Sequence, residues 1–67
     1  MWVIRKTTRD QTGNPKSRFF AEPPDKWVDN YVCAHGFISQ KDGNEYAIDM
    51  GIYFHHGYKN VTVVKAI

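Results

Sequence analysis

Hydrophobic and β-branched positions gather towards the two ends of the chain. Trp2-Val3-Ile4 followed by Arg5-Lys6-Thr7-Thr8 predicts a strand from Trp2 to Thr8, because aromatic and β-branched side chains suit a pleated surface. Gln11-Thr12-Gly13-Asn14-Pro15 predicts a loop: Gly and Asn accept positive φ, and Pro cannot continue a ladder. Ser17 to Ala21, around Phe19-Phe20, predicts a second strand, pairing with the first as an antiparallel hairpin with a long tip. Pro23-Pro24 stops it, since neither residue has an N–H for the ladder. Val61 through Ile67 is the clearest strand of all.

Between these ends the pattern changes. Trp27, Val28, Tyr31 and Val32 fit one helical face, with Gly36 as its end. The competing reading is an extended piece at Lys26–Val28, a turn at Asp29-Asn30 and a brief edge strand near His35–Ile38, and it is preferred here. Ser39-Gln-Lys-Asp42 predicts a helix start, with Ser39 capping the N–H of Asp42 and Phe37 packing under the first turns. Tyr46, Ala47, Met50, Tyr53 and Phe54 then form an apolar stripe of helical period. Gly57 ends this helix, with Tyr58 folding back over it. Gly43 and Gly51 weaken the helix by about 1 kcal/mol each against Ala; Gly51 offers a close approach to the sheet. The order is therefore β-β-(β)-α-β. It predicts a two-layer α+β domain spanning residues 1–67, with a mostly antiparallel sheet of three or four strands covered on one face by a single helix.

Composition sharpens this. With 67 residues the chain builds one core, and its ten aromatic residues (two Trp, four Tyr, four Phe) supply large side chains for it. A single cysteine, Cys33, excludes a disulfide-stapled scaffold and fits a reducing compartment. No apolar run approaches a membrane span, and the N-terminal residues lack the apolar core of a secretory signal, so cytoplasm is the expectation. The net charge of +2 is unevenly distributed. Residues 1–20 hold five cations and one acid, residues 21–57 hold two cations and six acids, and residues 58–67 add two lysines.

The layout resembles small phage-encoded and prophage-type proteins with a Trp-Asp turn, an Ala-x-x-Phe-x-Ser step into one amphipathic helix, then Gly-Tyr-x-x-Val-x-Val-Val. The matching residues are Trp27, Asp29, Ala34, Phe37 and Ser39, then Gly57, Tyr58, Val61, Val63 and Val64, over about two-thirds of the chain. Gly43 departs from the pattern, where Ala is usual. The resemblance implies the ββ(β)αβ fold and supports the extended reading of residues 25–38. It transfers no catalytic or binding residue. Proteins of this type are similar to inhibitors of host machinery, including RNA polymerase inhibitors and anti-CRISPR proteins. A host protein as partner, and the host cytoplasm as location, are what that implies.

Candidate chemistry is sparse. Cys33, His35, His55 and His56 are the only thiol and imidazole groups, and none stands at the spacing of a structural zinc site. Cys33 and His35 would share a strand face, yet a lone cysteine in a small domain is more often a packed hydrophobe. No cofactor and no metal are expected, and a domain this small has little room for a concave active site. One helix, however, leaves the second sheet face bare. Strand alternation places Val3, Arg5, Thr7, Arg9, Arg18, Phe20, Thr62 and Val64 there if Trp2, Ile4, Phe19, Val61 and Val63 point to the helix. A one-residue slip would exchange the faces. Arginine with aromatics suits a protein interface. The acidic helix face of Asp42, Glu45 and Asp49 is a second candidate surface, able to mimic phosphate charge. The expectation is a small non-enzymatic module that inhibits a host protein of the transcription or nucleic-acid-based defence machinery by surface occlusion. The alternatives are a nucleic-acid-binding module using the Arg and aromatic face, and a homodimer that buries it.

Overall fold

In the computed structural model, which describes residues 1–66, four strands form one antiparallel sheet in the order β3-β2-β1-β4. The strands are β1 (Trp2–Arg9), β2 (Pro15–Glu22), β3 (Lys26–Val28) and β4 (Val61–Lys65). Of the predicted terminal strand, Ile67 lies outside the described residues. The hairpin tip between β1 and β2 is closed by Asp10, whose carboxylate accepts from the backbone N–H groups of Thr12 and Asn14, both at 2.9 Å. These bonds and the Thr12 hydroxyl, which counts most, hold the Asp10 carboxyl below the usual carboxylate range.

Residues 25–38 are extended and turned, not helical throughout. A short 3-10 turn at Tyr31–Cys33 is capped by Asn30, whose side chain accepts from Val32 N at 3.0 Å. The chain then returns as filler rather than as an edge strand. The β1–β2 ladder ends at Arg5–Phe19. Beyond it His35 N donates to the Phe20 carbonyl at 2.9 Å, and Trp2 and Phe37 exchange two backbone bonds. Backbone groups that the diverging strands would leave unpaired are thereby satisfied.

Ser39 caps the N–H of Asp42 at 3.1 Å, and α1 (Gln40–Asp49) begins there. The predicted single helix is broken. Gly51 takes φ +71°, and a separate short α2 (Ile52–His56) follows, ended by Gly57 at φ +89°. The break turns α2 so that Ile52 is buried while Met50 is exposed and Phe54 is 82% exposed. Those two drop out of the predicted apolar stripe. Tyr58 does fold back, stacking on Tyr53 at 5.2 Å. The close approach to the sheet occurs at Gly43, not Gly51: a Cβ at Gly43 would stand 2.9 Å from Val63 Cγ1 and 3.4 Å from the Phe37 ring.

The main core lies between sheet and helices. It joins Ile4, Phe20, Trp27, Val61 and Val63 from the strands to Ala47 and Ile52 from the helices. Phe20 sits at its centre, 5.6 Å from both the Trp27 and Tyr46 rings.

Candidate functional site

Strand register fixes what each sheet face presents. Val28, Phe19, Arg5 and Thr62 are paired across β3, β2, β1 and β4, so they form one row on one face. Phe20 faces Trp27 and Ile4 faces Val63 on the opposite, helix-covered side. The predicted open face is therefore right for β1 and β4 and reversed for β2. Val3, Arg5, Thr7, Arg9, Thr62 and Val64 lie on it. Phe20 is fully buried in the main core, and Phe19 takes its place outside. Arg18 shifts with Phe20 to the helix side, where it opposes Lys6. Its Nε donates to Asp29 at 3.1 Å and its Nη2 to the Trp27 carbonyl at 3.1 Å. The physical reason is the identity of the two adjacent side chains: alternation alone does not say which Phe turns inward.

The open face is not bare. Val3 is fully buried and Ala66 nearly so, although neither belongs to the main core cluster. Together with Val64 they floor a groove of about 260 Å³. Phe19 and Tyr31 form one wall, their rings edge to face at 6.2 Å. Tyr31 could not be assigned to this face from local pattern, because the 3-10 turn carries it there. Among the described residues the lining holds two cations and no acid; Arg5 faces the groove, whereas Lys65 pairs with Trp2 and so turns its side chain to the opposite face. The Arg5 Nε is buried and, among the described residues, has no hydrogen-bond partner. Leaving a buried donor unmade costs on the order of 1–3 kcal/mol. Arg9 is outside the groove, donating to the Gly13 carbonyl at 2.8 Å.

The second candidate surface keeps its predicted placement. Asp42, Glu45 and Asp49 are all exposed on α1, with Lys41 Nζ 4.0 Å from Glu45.

Imidazole and thiol groups are scattered. Cys33 is exposed at the end of the 3-10 turn rather than packed, and it shares no strand with His35. His35 stacks on Tyr46 at 5.9 Å. Among the described residues no three His, Cys, Asp or Glu side chains are placed to hold one metal ion. His56 Nε2 lies 3.0 Å from Asp25 Oδ1, which also accepts from the Trp27 indole at 2.7 Å. The indole bond first, and His56 second, hold the Asp25 carboxyl below its ordinary range. Lys6 Nζ sits 4.4 Å over the Trp27 ring, and burial lowers the pKa of its ammonium. Asp25 and His56 border a concavity of about 410 Å³ with Pro24, Met50, Ile52 and His55. That is more concave space than the chain's size suggests, yet its lining supplies no hydroxyl or thiol nucleophile. No helix among the described residues is long and apolar enough to cross a membrane. Comparisons with protein-family models, curated proteins and solved structures find no match, so the functional reading rests on the geometry.

Proposed function

We propose that the chain is a small non-enzymatic binding module that docks a partner protein through the groove on its open sheet face. The observation that carries this reading is an aromatic pair and an arginine whose buried Nε has no partner among the described residues, above an apolar floor. Arginine and aromatic residues are enriched where proteins meet. In its finer form the module is a phage-type inhibitor acting in the host cytoplasm. It would occlude a surface of the host transcription or nucleic-acid-based defence machinery. Its small size and the layout resemblance support that form, and the exposed acids of α1 would present a phosphate-like second surface.

The nucleic-acid alternative loses two of its residues, Arg18 to Asp29 and Phe20 to the core. Photo-crosslinking tests the main reading. With a benzoylphenylalanine at Tyr31, lysate of the cells that express the chain is expected to yield one discrete protein adduct. The same group at Asp49 is expected to yield none. An adduct from Asp49 alone would move the binding surface to the helix, and no adduct from either would reject the reading. Retardation of a single-stranded oligonucleotide at about 50 mM salt would favour the alternative.

A further inference from the structure

Docking at the groove says where a partner sits, and the chemistry of the same groove says what that partner carries; the second claim depends on the first. We infer that the groove takes an extended acidic segment of a partner protein, one Asp or Glu carboxylate meeting the Arg5 guanidinium while aliphatic neighbours pack on Val3 and Val64. Arg5 stands in the middle of the sheet, paired with Phe19 on one side and Thr62 on the other, so its charge rises from the floor and not from the rim. Among the described residues its Nε has no partner and the side chain enters no ion pair. Lys65, the other cation of the described lining, pairs with Trp2, so its side chain alternates to the helix side and Arg5 is left as the central charge. A central cation with no acid among the described lining residues selects an anion, and an apolar floor beside it selects one attached to aliphatic groups.

A carboxylate fits better than a nucleic-acid backbone. The planar guanidinium accepts a carboxylate through two parallel bonds. A nucleic-acid strand needs a track of cations along its phosphates. Here the other four hairpin cations are engaged, Lys16 and Arg18 with Asp29, Arg9 with the Gly13 carbonyl and Lys6 over the Trp27 ring. Phe19 and Tyr31 pack edge to face against each other, so one of the two rings already has a face covered. The test is titration of the nitrogen-15-labelled chain with acetyl-Ala-Val-Glu-Val-Ala-amide and with its Gln counterpart, read by amide shifts. Both peptides are expected to move the signals of Val3, Phe19 and Val64, the Glu peptide at about tenfold lower concentration. Arg5→Gln is expected to erase that difference. Tyr31→Ala, on an exposed turn, is expected to weaken both peptides while the rest of the spectrum stays in place. Equal binding of the two peptides in the groove would leave the docking reading standing and overturn the carboxylate. Groove signals unmoved by either peptide would overturn both. A single-stranded thymidine oligonucleotide that moves them at lower concentration than the Glu peptide would overturn the inference in favour of a nucleic-acid site.

Discussion

Phe19 and Phe20 are adjacent and chemically identical, and the register sends them to opposite faces. Phe20→Ala removes the centre of the main core, a loss of about 3–5 kcal/mol. A domain this small holds about that much stability in total, so the variant is expected to be largely unfolded by circular dichroism. Phe19→Ala is expected to keep the fold, at a cost of about 1–2 kcal/mol in urea denaturation. The reverse outcome would return Phe20 to the open face. Asp25 acts differently, because its carboxylate joins the β2–β3 turn to both Trp27 and His56. Removing it in Asp25→Ala leaves the indole N–H without this acceptor and is expected to cost about 1 kcal/mol. Since the folded carboxyl titrates below its unfolded value, the ionised form is what folding favours. The stability difference between wild type and variant should be full above about pH 4 and shrink as pH falls through the lowered value. Urea midpoints across pH 2–7, in about unit steps, read this directly.

At the scale of elements, local signals located most of the architecture. β-branched runs marked β1, β2 and β4, Pro23-Pro24 marked the end of β2, and Ser39 marked the start of α1. What local pattern missed was set by contacts distant in sequence. The helix breaks at Gly51, which turns left-handed, and Ile52 after it is buried in the core; a continuous 3.6-residue stripe contains no trace of that. The open face was legible on β1 and β4 but ambiguous by one residue on β2. Tyr31 reaches the groove through a turn whose placement depends on Phe19. The two helical glycines now separate. Gly43→Ala should gain about 1 kcal/mol of helix propensity, yet its Cβ would push into buried, β-branched Val63 and the Phe37 ring. Overpacking of this kind costs about 1–3 kcal/mol, so the net is expected to be destabilising. Gly51→Ala meets only an ordinary van der Waals contact with the His55 ring, at 3.7 Å, but must hold a left-handed backbone, a cost of about 1 kcal/mol or more. Both lower the thermal midpoint, and Gly51→Asn, which tolerates that conformation better, should recover part of the second loss.

Across the whole molecule the uneven charge folds back on itself. Asp29, from the acidic middle, lies 3.1 Å from Arg18 and 3.9 Å from Lys16 of the basic hairpin. Exposed pairs of this kind add little stability, but they leave fewer hairpin cations free to attract a polyanion. Arg5 stands apart, on the far face and, among the described residues, in no ion pair. That arrangement bears on self-association. A two-fold dimer through the open face would be isologous, placing the groove of one copy against the groove of the other. Each Arg5 would then meet like charge, with no acid among the described lining residues to offset it. Burying unpaired charge is costly, so this face should repel its own copy while accepting an acidic partner. Wild type is accordingly expected to sediment as a single species near 7.8 kDa from low to high micromolar concentration. Arg5→Leu removes the guanidinium and extends the apolar floor across the centre of the face, and its sedimentation coefficient should rise with concentration. A wild-type dimer that Arg5→Leu does not strengthen would show that the guanidinium does not guard the groove.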